Sequence, residues 1–160
     1  MDSAFFIALV ATCAPLVHPS TAQALVSVES GFNPHAIGVV GGVLERQPRS
    51  AAEALATANH LRDAGWNFSV GLAQLNVRNF DRLELSLRTA FEPCENLKAM
   101  QSILIECIER AGTGATPQQD LRRALSCYYS GNFVTGFRHG YVARVVDAAS
   151  PVRNLPRAPP

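Results

Sequence analysis

Glu29 is the residue from which chemistry can first be argued. Ala22, Leu25 and Val26 fall at i, i+3 and i+4, and Glu29 falls at i+7 of the same stripe. A carboxylate therefore sits on the otherwise apolar face of a helix. Burial disfavours its charged form and raises its pKa. The last helical turn, where the macrodipole presents negative charge, disfavours the anion further. A carboxylic acid kept protonated near neutral pH is what general-acid cleavage of a glycosidic bond requires. The same spacing also fits a Glu at the edge of the stripe, bridged to an Arg or simply solvated.

Two other places carry polar groups in suggestive positions. Leu121, Ala124, Leu125 and Tyr128 repeat the i, i+3, i+4, i+7 pattern, and Tyr128 lies in the last turn before Gly131, as Glu29 does before Gly31. If the two helix ends converge they make a cleft. The competing reading is a core tyrosine with a satisfied hydroxyl. In Gly71-Leu72-Ala73-Gln74-Leu75-Asn76, an extended chain would put Gln74 and Asn76 on one face. Their amides suit the N-acetyl and hydroxyl groups of a sugar, and Gly71 would let the backbone approach a ligand closely.

Helices supply most of the frame for these groups. His18-Pro19-Ser20-Thr21 opens one that runs to Ser30, with Pro in the first turn and Gly31 as its stop. Ser50-Ala51-Ala52-Glu53 reads as a capping box for a helix to about Ala64. Further segments are predicted over 79–88, over 93–110 with Leu97, Met100, Gln101, Leu104 and Ile108 at helical spacing, from the Thr116-Pro117-Gln118-Gln119 box to Ser130, and over 141–149. Almost no strand is expected. Residues 38–49 read as a long loop, and 65–76 have room for a short hairpin. Phe5 to Ala11 is apolar but has no Lys or Arg before it, as a secretory signal would, and is shorter than the roughly 20 residues of a membrane span. It reads as a first helix packed on the domain, which leaves room for a signal upstream of this sequence. Residues 1–150 form one domain, and 151–160, with four prolines, a disordered tail.

Composition narrows the function classes. The chain has 160 residues, 48% of them apolar, and a net charge of only +1, which fits one globular domain. No basic stripe marks a nucleic-acid surface, and Arg122-Arg123 reads as a solvated helix face. The four cysteines, Cys13, Cys94, Cys107 and Cys127, include no C-x-x-C pair, which argues against zinc. They fit two disulfides in an oxidising compartment or four buried thiols in a cytosolic protein.

Taken in order, these segments resemble the lysozyme-like lytic transglycosylases. The resemblance rests on Glu29-Ser30-Gly31-Phe32-Asn33-Pro34, on Gly71-Leu72-Ala73-Gln74-Leu75-Asn76, on Tyr128-Tyr129-Ser130-Gly131-Asn132 and on Tyr141-Val142, and covers roughly residues 13–147. Cys13-Ala14-Pro15, the 36–42 loop, Gly65-Trp66-Asn67-Phe68 and Phe91-Glu92-Pro93-Cys94-Glu95-Asn96-Leu97 are similar to the specialised transglycosylases of type IV secretion systems. Tyr129 departs from the broader family, where an Asn is usual; the aromatic occurs in the secretion-associated branch.

The resemblance implies a mainly α, goose-type or SLT single domain with a short β-hairpin or irregular lobe. It implies a periplasmic enzyme that cuts the bond between N-acetylmuramic acid and N-acetylglucosamine in peptidoglycan strands and opens the wall locally for a secretion channel. Glu29 would be the acid and then the base, with Tyr128 steadying the developing charge or the Glu29 carboxyl. Ser30, Gln74, Asn76, Ser130, Asn132 and Tyr141 would be the substrate contacts. No metal or cofactor, no nucleic acid and no stable membrane span are expected; the partners are glycan strands and secretion-system components. Disulfides Cys13–Cys94 and Cys107–Cys127 are implied, with the swapped pairing open. Cys94 and Cys107 lie 13 apart on one expected helix, about 20 Å, too far to bond each other. A hydrolytic muramidase on the same fold, with Glu45 or Asp63 as its second carboxylate, and a non-catalytic wall-binding assembly factor are the competing readings.

Overall fold

In the computed structural model of the chain the described residues are 1–150; the expected Pro-rich tail lies outside them. The first helix, α1 (Ser3–Cys13), buries Phe6, Val10 and Cys13. Its apolar run is thus a packed element, with Phe6 edge-on to Phe32 at 5.1 Å. The second, α2 (Pro19–Ser30), starts where His18 accepts from the Ser20 N–H and ends at Gly31, which takes a left-handed conformation with φ 59°. Its inward face is Ala22, Ala24, Leu25 and Val26. Next come β1 (Ile37–Val39), α3 (Ala51–Asp63) behind the Ser50 cap, β2 (Phe68–Val70) and β3 (Leu75–Asn76).

The strands form one small antiparallel sheet in the order β1-β2-β3, with Ile37 opposite Val70 and Ser69 opposite Asn76. The hairpin expected over 65–76 is present. The loop expected over 38–49 is corrected at its start, because Gly38 and Val39 belong to a strand. Alternation explains why this was hidden: only Ile37 of the three β1 residues is buried, too short a pattern to read as a strand.

The helix predicted over 79–88 does not form. Instead Asn76 caps a short 3₁₀ turn (Val77–Asn79) by accepting from the Arg78 N–H. Turns follow to a later helix, α4 (Leu87–Phe91), which opens on a reciprocal capping box between Ser86 and Thr89. Glu84 at φ 54° breaks any continuous helix through this segment.

The centre of the fold is α5 (Pro93–Ala111). It packs on α1, α4 and α6 (Pro117–Ser130), while α2 packs on α8 (Tyr141–Ala149). Its buried face runs through Asn96, Leu97, Met100, Ile103, Leu104 and Cys107. The expected Ile108 lies outside that face and is exposed. A short α7 (Thr135–Arg138), not foreseen in the sequence, precedes α8. Two disulfides staple the bundle: Cys13–Cys94 joins the end of α1 to the start of α5, and Cys107–Cys127 joins α5 to α6. Among the described residues, no helix is long and apolar enough to cross a membrane.

Candidate active site

The ends of α2 and α6 converge, as their matched glycine stops suggested. Between them and the sheet runs a cleft of about 970 Å³, lined by Glu29, Gln74, Asn76, Tyr128 and Tyr129 among others. Glu29 enters it from the last turn of α2. Its carboxyl pKa is raised from 4.5 to about 7, chiefly because burial penalises the charged form. A hydrogen bond from Tyr141 and the charge of Arg144 pull in the other direction. Burial therefore keeps the protonated acid available near neutral pH.

The hydrogen bond to Glu29 comes from α8. The Tyr141 hydroxyl donates to Glu29 Oε1 at 2.5 Å, and the Tyr141 ring is almost wholly buried. The Tyr128 hydroxyl, expected to steady the developing charge or this carboxyl, donates to the Ala73 carbonyl at 2.8 Å. Tyr128 still senses the acid: burial first, then the Glu29 charge, hold its phenol well above the ordinary range. Next to it, Tyr129 stacks on Tyr141 with ring centroids 4.6 Å apart and planes 18° apart. The Tyr129 hydroxyl is paired with His139 Nδ1 at 3.0 Å.

The polar residues expected to touch sugar are largely engaged with the protein itself. Ser30 Oγ donates to the Leu72 carbonyl at 2.7 Å. Gln74, at φ 49°, sends its amide N–H groups to the carbonyls of Ala36 and Gly71. Asn76 caps the 3₁₀ turn and donates to Ser69 Oγ. Ser130 donates to the Ser126 carbonyl, and Asn132 accepts from the N–H groups of Val134 and Thr135 at the start of α7. Of these, Gln74, Asn76 and Ser130 line the cleft with Glu29 and Tyr128, whereas Ser30, Asn132 and Tyr141 are not on its wall.

Gly71 makes a close approach within the protein. At φ 78° it is in glycine territory, and a Cβ there would run into the Asn96 amide and the Ala90 carbonyl. The close approach is to the protein's own Asn96, which was overlooked in the sequence. Asn96 is fully buried, accepts from the Ala73 N–H at 2.8 Å and donates to the carbonyls of Val70 and Ala90. The signal was present: an amide beside Leu97 on the inward stripe of a long helix.

The carboxylates considered as partners for Glu29 are elsewhere. Glu45 is exposed, and Asp63 is exposed and paired with Arg62; neither lines the cleft. The other acidic residue on the cleft wall is Glu106, locked to Arg82 with contacts of 2.8 and 2.6 Å. Arg78 and Arg110 also face the cleft. Arg123, read as solvated, in fact donates to the Ala111 carbonyl and lies 4.9 Å over the Phe133 ring. Among the described residues no group of His, Cys, Asp and Glu is arranged to hold a metal ion.

Residues 6–145 match the model of the Transglycosylase SLT domain. The Type IV secretion system protein virB1 of Brucella suis biovar 1 is 49% identical over 151 residues, covering 90% of this chain and 63% of that protein. Protein virB1 of Rhizobium radiobacter is 38% identical over 151 residues, covering 93% of this chain and 62% of its own length. The chain thus spans less than two thirds of these relatives. No solved structure gives a significant match.

Proposed function

The chain belongs to the transglycosylase SLT family, and from that premise we propose that it is a peptidoglycan lytic transglycosylase acting in the periplasm, where it opens the wall locally for assembly of a type IV secretion system. The bond cut is the β-1,4 link from N-acetylmuramic acid to N-acetylglucosamine. Glu29 protonates the bridging oxygen as the C1–O bond breaks. The carboxylate so formed takes the proton of the muramic C6 hydroxyl, and O6 closes on C1 to give a 1,6-anhydro ring. The acid is regenerated and no water is consumed.

The observation that carries this reading is one half-buried acid, raised to about pKa 7, in a cleft whose other carboxylate is paired with an arginine. A pKa near the working pH lets one group serve as acid and then as base. Hydrolysis ordinarily needs a second carboxylate to activate water or form a covalent intermediate. The remaining acidic side chain on the cleft wall, Glu106, is neutralised by Arg82. Tyr141 holds the Glu29 carboxyl through the protonation cycle, and Tyr129 backs the Tyr141 ring. Digestion of purified peptidoglycan tests the reading, with product ends identified by mass. Anhydro ends from wild type and none from Glu29→Gln are expected. Reducing ends would assign a hydrolase, and equal output from both proteins would remove Glu29 from its role.

A further inference from the structure

We propose that the part of the cleft bounded by the 3₁₀ turn and α5 is a carboxylate-recognition subsite, built from Arg78, Arg82 and Arg110, that takes the anionic side groups of a peptidoglycan strand. The inference rests on the reading of the chain as a peptidoglycan-cleaving enzyme and adds what part of the strand it recognises.

The charge distribution is the first argument. The whole chain has net charge +1, and two of its arginines, Arg153 and Arg157, lie beyond residue 150, so residues 1–150 carry a net charge of −1. Yet three arginines line the cleft against two carboxylates, Glu29 and Glu106. Counted in the same way, the cleft wall is one positive charge in excess on a domain that is slightly negative overall. A concave surface of one sign concentrates ligands of the other.

The second argument is how the three side chains are held. Arg82 is oriented by Glu106. Arg110 donates to the Gly131 carbonyl at 3.0 Å and packs 5.6 Å over the Phe133 ring. Arg78 is exposed, and its side chain has no partner among the described residues. Its backbone is nevertheless fixed, since Asn76 accepts from its N–H. Two guanidiniums are therefore preset and a third is unengaged at the same wall. Guanidinium is the side chain best shaped to take a carboxylate through two parallel hydrogen bonds.

The third argument is the substrate's chemistry. A β-1,4 chain of N-acetylated sugars is uncharged. Its anions are carboxylates: that of the lactyl ether where the muramic sugar carries no peptide, and those of the peptide where it does. These are the groups a cationic wall can recognise along such a strand.

Binding of soluble strand fragments to the Glu29→Gln protein, which does not consume them, tests the idea. Three ligands are compared: intact fragments, fragments stripped of peptide by an amidase, and stripped fragments whose carboxylates are converted to neutral amides. Intact fragments should bind more tightly than the neutral ones. Adding Arg78→Gln should bring the ratio of their Kd values towards one, a loss of about two- to fivefold for an exposed pair. Raising salt should weaken the parent more than the Arg78→Gln protein. Amidase treatment frees the lactyl carboxyl that the peptide had occupied, so stripped fragments that bind more tightly than neutral ones show that the subsite accepts the lactyl carboxylate of peptide-free sugars, and stripped fragments that bind like neutral ones assign the peptide carboxylates. Equal binding of intact and neutral fragments by the parent overturns the subsite. Separately, wild type that binds strands but releases no anhydro ends would overturn the enzymatic reading and leave the subsite standing.

Discussion

Replacing Glu29 by Gln should stabilise the protein, and more so as pH rises. The carboxyl titrates near 7 in the folded chain against 4.5 when exposed, a difference of about 2.5 units, worth roughly 3 kcal/mol between its two protonation states. Because the folded pKa is the higher one, the folded protein keeps its proton while the unfolded chain loses it between these values. Stability linked to Glu29 is complete below pH 4.5 and is lost as pH climbs through about 7. Gln carries no charge, fills nearly the same space and still accepts from the Tyr141 hydroxyl, so it lacks this loss. The stability gap between variant and wild type should therefore widen by up to about 3 kcal/mol from pH 4 to pH 8. For a domain of this size that is about 6–12 °C in Tm. Thermal melts of both proteins across that range provide the assay, and pH effects on all other groups cancel in the difference. A gap that stays constant with pH would refute the claim that this carboxyl is desolvated, and with it the basis for Glu29 as a neutral-pH acid.

Tyr141→Phe removes the donor that holds the Glu29 anion, so the alkaline limb of the pH–rate profile should move up from about 7 by about one to two pH units, the worth of a hydrogen bond to a charged group. Tyr129→Leu should lower kcat about fivefold by releasing the Tyr141 ring, a stack worth roughly 1 kcal/mol; Tyr129→Phe keeps the stack and should restore most of the rate, as steady-state kinetics would read. Serine at both Cys107 and Cys127 opens a link across a sequence separation of 20 and should cost about 3 kcal/mol in denaturant unfolding, against about 4.5 kcal/mol for the Cys13–Cys94 link with its separation of 81. Asn96→Ala leaves the Ala73 N–H and the Val70 and Ala90 carbonyls without their partner. It should cost about 3 kcal/mol or more and reduce activity in the fraction that folds, measured by unfolding and by turnover per folded molecule.

What could be read in the sequence was whatever repeats with helical period or stops at a glycine. The stripe that ends at Glu29 and the one that ends at Tyr128 gave two helix ends and a cleft between them. Periodicity failed where the signal was short or came from elsewhere in the chain. β1 has one buried residue out of three, and the segment after β3 is shaped by the Asn76 cap and the turn at Glu84, not by an apolar repeat. The choice of Tyr141 over Tyr128 as the partner of Glu29 was illegible for the same reason. Both tyrosines sit on inward faces, and only the packing of α8 on α2 brings one hydroxyl to the acid.

The distribution of hydrogen bonds explains why so many motif residues face inward. The turn from Val70 to Gln74 has an irregular backbone, and its polar groups must be satisfied if it is to sit under a cleft. Ser30 at the end of α2 takes the Leu72 carbonyl, and Tyr128 at the end of α6 takes the Ala73 carbonyl. Asn96 from α5 takes the Ala73 N–H and the Val70 carbonyl, and Gln74 folds back on Gly71 and Ala36. Side chains from three helices thus fix one turn, and that turn in turn fixes the spacing of the two helix ends. Each bond contributes only about 1 kcal/mol, but together they make the position of Glu29 depend on Ser30, Tyr128 and Asn96 at once. Catalytic geometry must be held to within about half an ångström, and a carboxyl at a helix terminus has no regular structure beyond it to supply that. The motif is therefore a set of braces, and single removals from it should act on kcat through the placement of Glu29.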